Sequence, residues 1–188
     1  MADTHIKRFV KQFSVKTQQY LADIPVDVLV LGPSISSKVL VPAARLRKEL
    51  LHRCRKYGAG VKGEHSQLMK EAAKRLGAGN NLCTYERMLA KEVDLIVIVP
   101  DSPGSFAELG LLALEDRAGP KTVVLFSREF RNRRSYIMQG PKKAFQMRSA
   151  RIKYVDYASV EQSWGVVEKA IEEKKAMKVD TKLSLHTK

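Results

Sequence analysis

Near-continuous apolar runs alternate along the chain with segments in which apolar residues recur at helical spacing. The runs are VDVLVLG (26–32), VDLIVIV (93–99), KTVVLF (121–126) and a weaker fourth, RIKYVDY (151–157). Runs of this kind are typical of strands buried on both faces, as parallel strands are. Helical spacing covers the segments 40–58, 64–77, 84–92, 106–119 and 159–178. The alternation predicts an α/β fold, a Rossmann-like or flavodoxin-like sandwich whose parallel sheet of about four to five strands carries helices on both faces.

Three segments follow from this pattern. Residues 1–25 carry apolar positions at helical spacing and predict an N-terminal helix, residues 26–178 form a single α/β domain, and residues 179–188 predict a loose basic tail. The full 188 residues suit one domain with a sizeable core. No apolar run approaches the roughly 20 residues that a membrane span requires, so we expect a cytoplasmic protein with no membrane partner.

The charge is strongly basic and points to an anionic partner. Lys and Arg number 34 against 20 Asp and Glu, a formal net charge of +14. Such a surplus favours nucleic acid, another phosphate-rich ligand or an acidic protein. Between residues 127 and 155 aromatic residues are interleaved with basic ones, which include Arg128, Arg131, Arg133, Arg134, Lys142 and Lys143. This stretch is either a sequence-tolerant nucleic-acid surface or a solvated basic loop.

The sequence contains no metal-binding or redox motif. The two cysteines, Cys54 and Cys83, lack metal-ligand spacing and are expected to be buried thiols, and the four histidines form no metal or triad pattern. We therefore expect no metal and no bound cofactor.

Two loops rich in small residues follow the first two long apolar runs. GPSISS begins at Gly32, and PDSPGS begins at Pro100. In parallel sheets, ligands bind beyond the carboxyl ends of the strands, where backbone N–H groups favour phosphate. These loops would hold sugar and phosphate, or they are ordinary strand-to-helix connections. The candidate ligand contacts are Gly32, Ser34, Ser102, Gly104 and Ser105.

Glu108 admits two interpretations. Ser105 and Glu108 have the spacing of a capping box, in which each side chain binds a backbone N–H at the start of a helix. Alternatively, Glu108 is a reactive carboxylate that stabilises or traps a positively charged sugar carbon. A position in the first helical turn would help to keep it ionised.

The stretch VDLIVIVPDSPGSFAELG (93–110) supports the second interpretation by resemblance. Strand, Pro-Asp/Ser-Gly turn and Glu-Leu-Gly helix resemble the nucleoside 2-deoxyribosyltransferase family, and the wider nucleotide-handling Rossmann-like group that includes the cytokinin-activating phosphoribohydrolases. That resemblance implies that Glu108 is the nucleophile and that Glu86, where the family has Asp, assists at the base. Asp101 would contact the base or a ribose hydroxyl, or it only forms the turn.

The same resemblance extends to effectors of bacterial anti-phage defence, including retron-associated ones. Tyr136, in RNRRSYIMQGP (131–141), would pack on the base or complete a neighbouring subunit's site, unless it is a core tyrosine. We therefore expect cleavage of the N-glycosidic bond of a nucleotide or of NAD as substrate, in a homodimer or larger assembly. The alternatives are a non-catalytic nucleotide-sensing module and a nucleic-acid-binding structural component.

Overall fold

Five parallel strands form one sheet in the computed structural model, which describes residues 23–62 and 82–186. All four strand pairings are parallel, and the spatial order is β2–β1–β3–β4–β5. The strands are β1 (Asp27–Leu31), β2 (Gly60–Lys62), β3 (Leu95–Ile98), β4 (Thr122–Ser127) and β5 (Arg151–Val155). The predicted α/β class and its parallel sheet are confirmed. This strand order is that of flavodoxin-like folds.

Helices cover both faces of the sheet. Over the described ranges they are α1 (Pro42–Lys56), α2 (Leu82–Glu92), α3 (Pro103–Ala113), α4 (Tyr136–Gln139), α5 (Pro141–Met147) and α6 (Val160–His186). On one face, α1 and α6 pack on residues such as Val28 and Val97. On the other face, α2 to α5 pack on residues such as Leu29 and Ile96. Because alternate strand residues enter two separate cores, β3 is apolar throughout, and β1 and β4 are apolar except at their ends.

The topological switch point lies between β1 and β3. From β1 the chain passes through α1, on one face, to β2 at the sheet edge. From β3 it passes through α3, on the opposite face, to β4 on the other side. The two loops therefore leave neighbouring strand ends in opposite directions and open a crevice. Ligands bind in such crevices in open α/β sheets.

Several elements differ from the prediction. The short edge strand β2 was not predicted, since three residues carry no recognisable apolar run. Residues 179–186 continue α6 instead of forming a loose tail, because no Gly or Pro interrupts the sequence after Gly165. The predicted N-terminal helix, up to residue 22, and the predicted helix 64–77 lie outside the described residues. Over the ranges that the structure describes, no helix combines the length and the apolar character that crossing a bilayer requires.

Candidate functional site

The N-terminus of α3 is capped by Ser102, one turn before the predicted position. The Ser102 Oγ accepts from the Ser105 N–H at 3.3 Å, and the Ser105 Oγ accepts from the Ser102 N–H at 2.8 Å. Pro103 occupies the first helical position, where its missing N–H costs nothing. The capping interpretation of Ser105 with Glu108 is therefore wrong. Glu108 lies in the second turn, beyond the strongest effect of the helix dipole.

Ser105 holds the turn after β3 and is not free for a ligand. Its side chain is buried, with the residue 1% exposed. The hydroxyl accepts from the backbone N–H groups of Asp101 (2.9 Å) and Ser102 (2.8 Å), and it donates to the Ser102 carbonyl (2.9 Å). The predicted ligand contact at Ser105 is therefore incorrect, because the hydroxyl is fully used within the turn.

Glu86 and Glu108, which the sequence places 22 residues apart, come together at one site. Helices α2 and α3 lie on the same face of the sheet and present the two carboxylates to one another within hydrogen-bonding reach. Glu86 is 8% exposed, and the Glu108 Oε2 is fully buried with no hydrogen-bond partner among the described residues. An unpartnered buried oxygen is costly in a fold and is typical of a site that acts on a ligand.

Burial raises the pKa values of both carboxyl groups. Loss of hydration and, second, the charge of Glu86 raise the pKa of Glu108 to about 7. Loss of hydration also raises the pKa of Glu86, whereas Arg47 and the contact with Glu108 lower it. Two carboxyl groups this close titrate as a pair, and burial keeps the pair protonated to higher pH than free glutamates.

Arg47 supplies the positive charge of the site from α1, across the switch point. Its Nε donates to the Val30 carbonyl (3.2 Å), and its Nη1 donates to the carbonyls of Gly32 (2.9 Å) and Pro33 (3.0 Å). The guanidinium lowers the pKa of Glu108 and of Glu86, while burial lowers the pKa of Arg47 itself.

Sequence reasoning missed Arg47, although a signal was present. The residue falls on the apolar stripe of α1, whose buried members are Ala43, Ala44, Leu46, Leu50, Leu51 and Cys54. A lone basic residue inside such a stripe faces the core and needs buried partners.

Gly32 allows the backbone to pass close to this cluster. Its φ of +151° is a conformation that side chains rarely adopt, and a Cβ there would lie 2.9 Å from the Val99 carbonyl oxygen and 3.3 Å from the Arg47 Cδ. The nearby Gly32 backbone amide lowers the pKa of Glu108. Gly32 therefore belongs to the site through its backbone.

The other predicted residues lie outside this buried cluster. Asp101 is exposed as a residue. Partial loss of hydration and, second, the charge of Glu129, after β4, raise the pKa of its carboxyl group. Ser34 is exposed and shares a 2.8 Å hydrogen bond with Ser36. A Cβ at Gly104 would meet open space. Tyr136 is 81% exposed, so the core alternative for that ring is wrong.

The basic stretch is folded and carries cations over aromatic rings. It contains a 3₁₀ turn over Arg128–Phe130 and the helices α4 and α5. Arg131 and Lys142 lie 5.7 and 5.5 Å from the centre of the Tyr154 ring, and Arg133 lies 5.0 Å from that of Phe130. The exposed basic residues are Arg128, Arg131, Arg133, Arg134, Lys143 and Lys153. Part of the stretch has regular structure, but Arg131, Arg133 and Arg134 lie in an exposed turn, so both interpretations of the stretch stay predictions.

Within residues 23–62 and 82–186, no group of three or more His, Cys, Asp or Glu side chains is placed to hold a metal ion. Of the two predicted buried thiols, Cys54 is buried, whereas Cys83 is exposed, so the prediction is wrong for Cys83.

Two curated proteins of Escherichia coli resemble part of this chain. They are named "Retron Ec86 putative ribosyltransferase/DNA-binding protein", 37% identical over 62 residues, and "Retron Ec73 putative ribosyltransferase/DNA-binding protein", 37% identical over 70 residues. The matches cover 33% and 37% of this chain but only 20% and 22% of those proteins, so the aligned segment spans about a fifth of each relative.

A family profile covers far more of the chain. The profile described as "STM3845 retron effector protein" matches residues 44–187, a range that includes Arg47, Glu86 and Glu108. Since this range exceeds half of the sequence, the chain belongs to the STM3845 retron effector protein family.

Proposed function

We propose that this chain cleaves the N-glycosidic bond of a nucleotide or NAD-like substrate through the Glu86–Glu108 pair. The observation that carries the proposal is the meeting of two buried carboxylates from neighbouring helices at the switch point of the sheet. One of their oxygens, the Glu108 Oε2, has no partner within the described residues. The relatives named as ribosyltransferases support the same class of reaction.

A singly protonated pair suits this reaction because the group that attacks the sugar must be ionised, whereas the group that assists the leaving base must be protonated. With a nucleoside monophosphate, the ionised Glu108 carboxylate attacks C1′, the bond from C1′ to the base nitrogen breaks, and the protonated Glu86 gives its proton to the leaving base. With NAD, nicotinamide leaves as a neutral molecule that needs no proton, and Glu86 releases its proton to water. Water then attacks C1′ of the glycosyl ester, Glu86 accepts the water proton, and the bond from C1′ to Glu108 breaks. The sugar leaves with a new hydroxyl, and the pair regains its single proton.

Before the substrate binds, the proton can also lie on Glu108. Burial raises the pKa of Glu108 to about 7, so this group shares the proton with Glu86 in the free site. A cationic sugar carbon beside Glu108 would favour the ionised form there, which moves the proton to Glu86. The roles of nucleophile and acid are then set by the substrate.

Phosphorylated substrates fit the chain better than neutral nucleosides. The net charge of +14 raises the local concentration of anions. The loops that begin at Gly32 and Pro100 border the crevice, and Ser34 and Gly104 are exposed there. Phosphate oxygens could accept from these loops while the glycosidic bond lies over the carboxylates.

Base release tests the proposal. Wild type, Glu108→Gln, Glu86→Gln and the control Glu92→Gln are incubated with nucleoside monophosphates and with NAD, and free base is measured. Glu92 is exposed and lies on the same helix as Glu86, so its replacement should leave the rate unchanged. Loss of release in Glu108→Gln, with its fold retained, supports the enzyme. Ligand-induced stabilisation of wild type without any release contradicts it and favours the nucleotide-sensing module.

Nucleic-acid binding is a second candidate function, favoured by the cations over Tyr154 and Phe130. Guanidinium and ammonium groups held in place over aromatic rings suit contacts to phosphate. The relatives carry "DNA-binding" in their names. Binding of single-stranded DNA should weaken steeply with salt and should not depend on sequence. Retention that is insensitive to salt would contradict this surface.

A further inference from the structure

Arg47 has no role in the resemblance from which Glu108 and Glu86 were inferred, yet its guanidinium is bound to the turn after β1 and its charge acts on both carboxylates. We propose that Arg47 is a positioning residue that fixes the turn after β1 and presents a half-buried positive charge to the Glu86–Glu108 pair. The inference rests on the proposed function, since it assigns a regulator of charge to that site.

The geometry gives Arg47 a fixed position. Three hydrogen bonds, to the carbonyls of Val30, Gly32 and Pro33, hold one edge of the guanidinium against the end of β1. Its Cδ would lie 3.3 Å from a Cβ at Gly32, so the stem packs directly on this turn. A planar fork held at three points cannot be replaced by a flexible ammonium without loss of position.

The charge of Arg47 acts on both carboxylates. The charged groups that act on the pair come from three helices: Arg47 of α1, Glu86 of α2 and Glu108 of α3. Burial and the Glu–Glu repulsion favour protonation of the pair, whereas Arg47 favours ionisation. Without the guanidinium, the pKa values of both carboxyl groups would rise, and a smaller fraction of Glu108 would be ionised at neutral pH.

A purely structural role for Arg47 makes a different prediction. Loss of its hydrogen bonds would lower the melting temperature of the protein, but the midpoint of the pH profile of base release would stay the same. Replacement by Gln removes the charge and keeps a donor, whereas replacement by Lys keeps the charge and removes the fork. The two variants therefore separate electrostatics from hydrogen bonding.

The test is the pH profile of base release by wild type, Arg47→Gln, Arg47→Lys and the control Arg45→Gln. Arg45 is exposed on the same helix and donates to the Leu40 carbonyl. We expect the acidic limb to move upward by about 1 pH unit or more in Arg47→Gln. It should move much less in Arg47→Lys and not at all in Arg45→Gln. An unmoved limb in Arg47→Gln, or equal shifts in the Gln and Lys variants, would overturn the inference.

A second measurement needs no activity. Glutamate carrying ¹³C at Cδ is titrated by NMR in wild type and in each variant, and the signals of the pair are identified by their loss in Glu108→Gln and Glu86→Gln. Their midpoint should rise in Arg47→Gln even if no substrate has been found. If the midpoint rises without base release from wild type, the proposed function fails while the role of Arg47 stands. If Arg47→Gln does not fold, a full-unit shift in Arg47→Lys overturns the inference.

Discussion

Replacing Glu108 by Gln should stabilise the folded protein more at pH 8 than at pH 5. Wild type keeps a proton on Glu108 in the folded state up to about pH 7, whereas the unfolded chain releases it near the usual value of 4.5. Between these values the folded state binds more protons than the unfolded state. The free energy of unfolding of wild type therefore falls as the pH rises through this window.

The size of the effect follows from the pKa shift. A change from 4.5 to about 7 corresponds to at most about 3 kcal/mol, and water that reaches the half-buried residue reduces it. Gln cannot ionise, so the variant carries no such penalty. Loss of the Glu108 carboxylate also removes the charge that repels Glu86, and this likewise stabilises the variant at high pH. We expect the stability of Glu108→Gln relative to wild type to increase by about 1–2 kcal/mol between pH 5 and pH 8.

Urea unfolding at several pH values measures this difference. The midpoint and slope give the free energy of unfolding for wild type, for Glu108→Gln and for the exposed control Glu92→Gln. The Glu92 variant should track wild type at every pH. A difference between Glu108→Gln and wild type that is constant from pH 5 to pH 8, or that shrinks, would refute the buried carboxylate pair.

Three other predictions concern the turn after β1, the buried Tyr157 hydroxyl after β5 and the basic surface. Gly32→Ala should introduce about 1–3 kcal/mol of backbone strain and so lower the melting temperature by several degrees. Gly104→Ala should leave the melting temperature unchanged, because its Cβ meets open space. Tyr157→Phe should cost about 1–3 kcal/mol in urea unfolding, because the buried hydroxyl lies 2.9 Å from the Pro100 carbonyl oxygen and 3.0 Å from that of Leu125. Replacing Arg131 and Arg134 together by Ala should weaken binding of single-stranded DNA at every sequence and make the salt dependence shallower by roughly 1–2 phosphate contacts; unchanged salt dependence would exclude this surface.

The sheet could be predicted because burial on both faces leaves a direct mark on the sequence. Val28 and Leu29 enter opposite cores, so β1 is apolar at every position after Asp27, and β3 is apolar throughout. The edge strand β2 has only three residues and pairs on one side, with β1, so it leaves no comparable mark. β2 is a strand because its backbone pairs with that of β1, and not because its own residues favour a strand.

The site was partly predictable for a different reason. Glu108 and Glu86 were found by resemblance, but their contact depends on the packing of α2 against α3, which spacing alone does not give. The start of α3 was placed too late because Ser105 and Glu108 have capping spacing, whereas Pro103 favours the first helical position and Ser102 completes the turn. Arg47 was overlooked because charges surround it in the sequence, although its place among buried leucines marks it as inward-facing.

Release of free base from nucleoside monophosphates and from NAD tests the central claim most directly. Wild type should release base, and Glu108→Gln should lose at least about 100-fold of that rate while its circular dichroism spectrum and melting behaviour show an intact fold. Equal rates in the two proteins, or no release by wild type from any of these substrates, would contradict the assignment of Glu108 as the group that attacks the sugar.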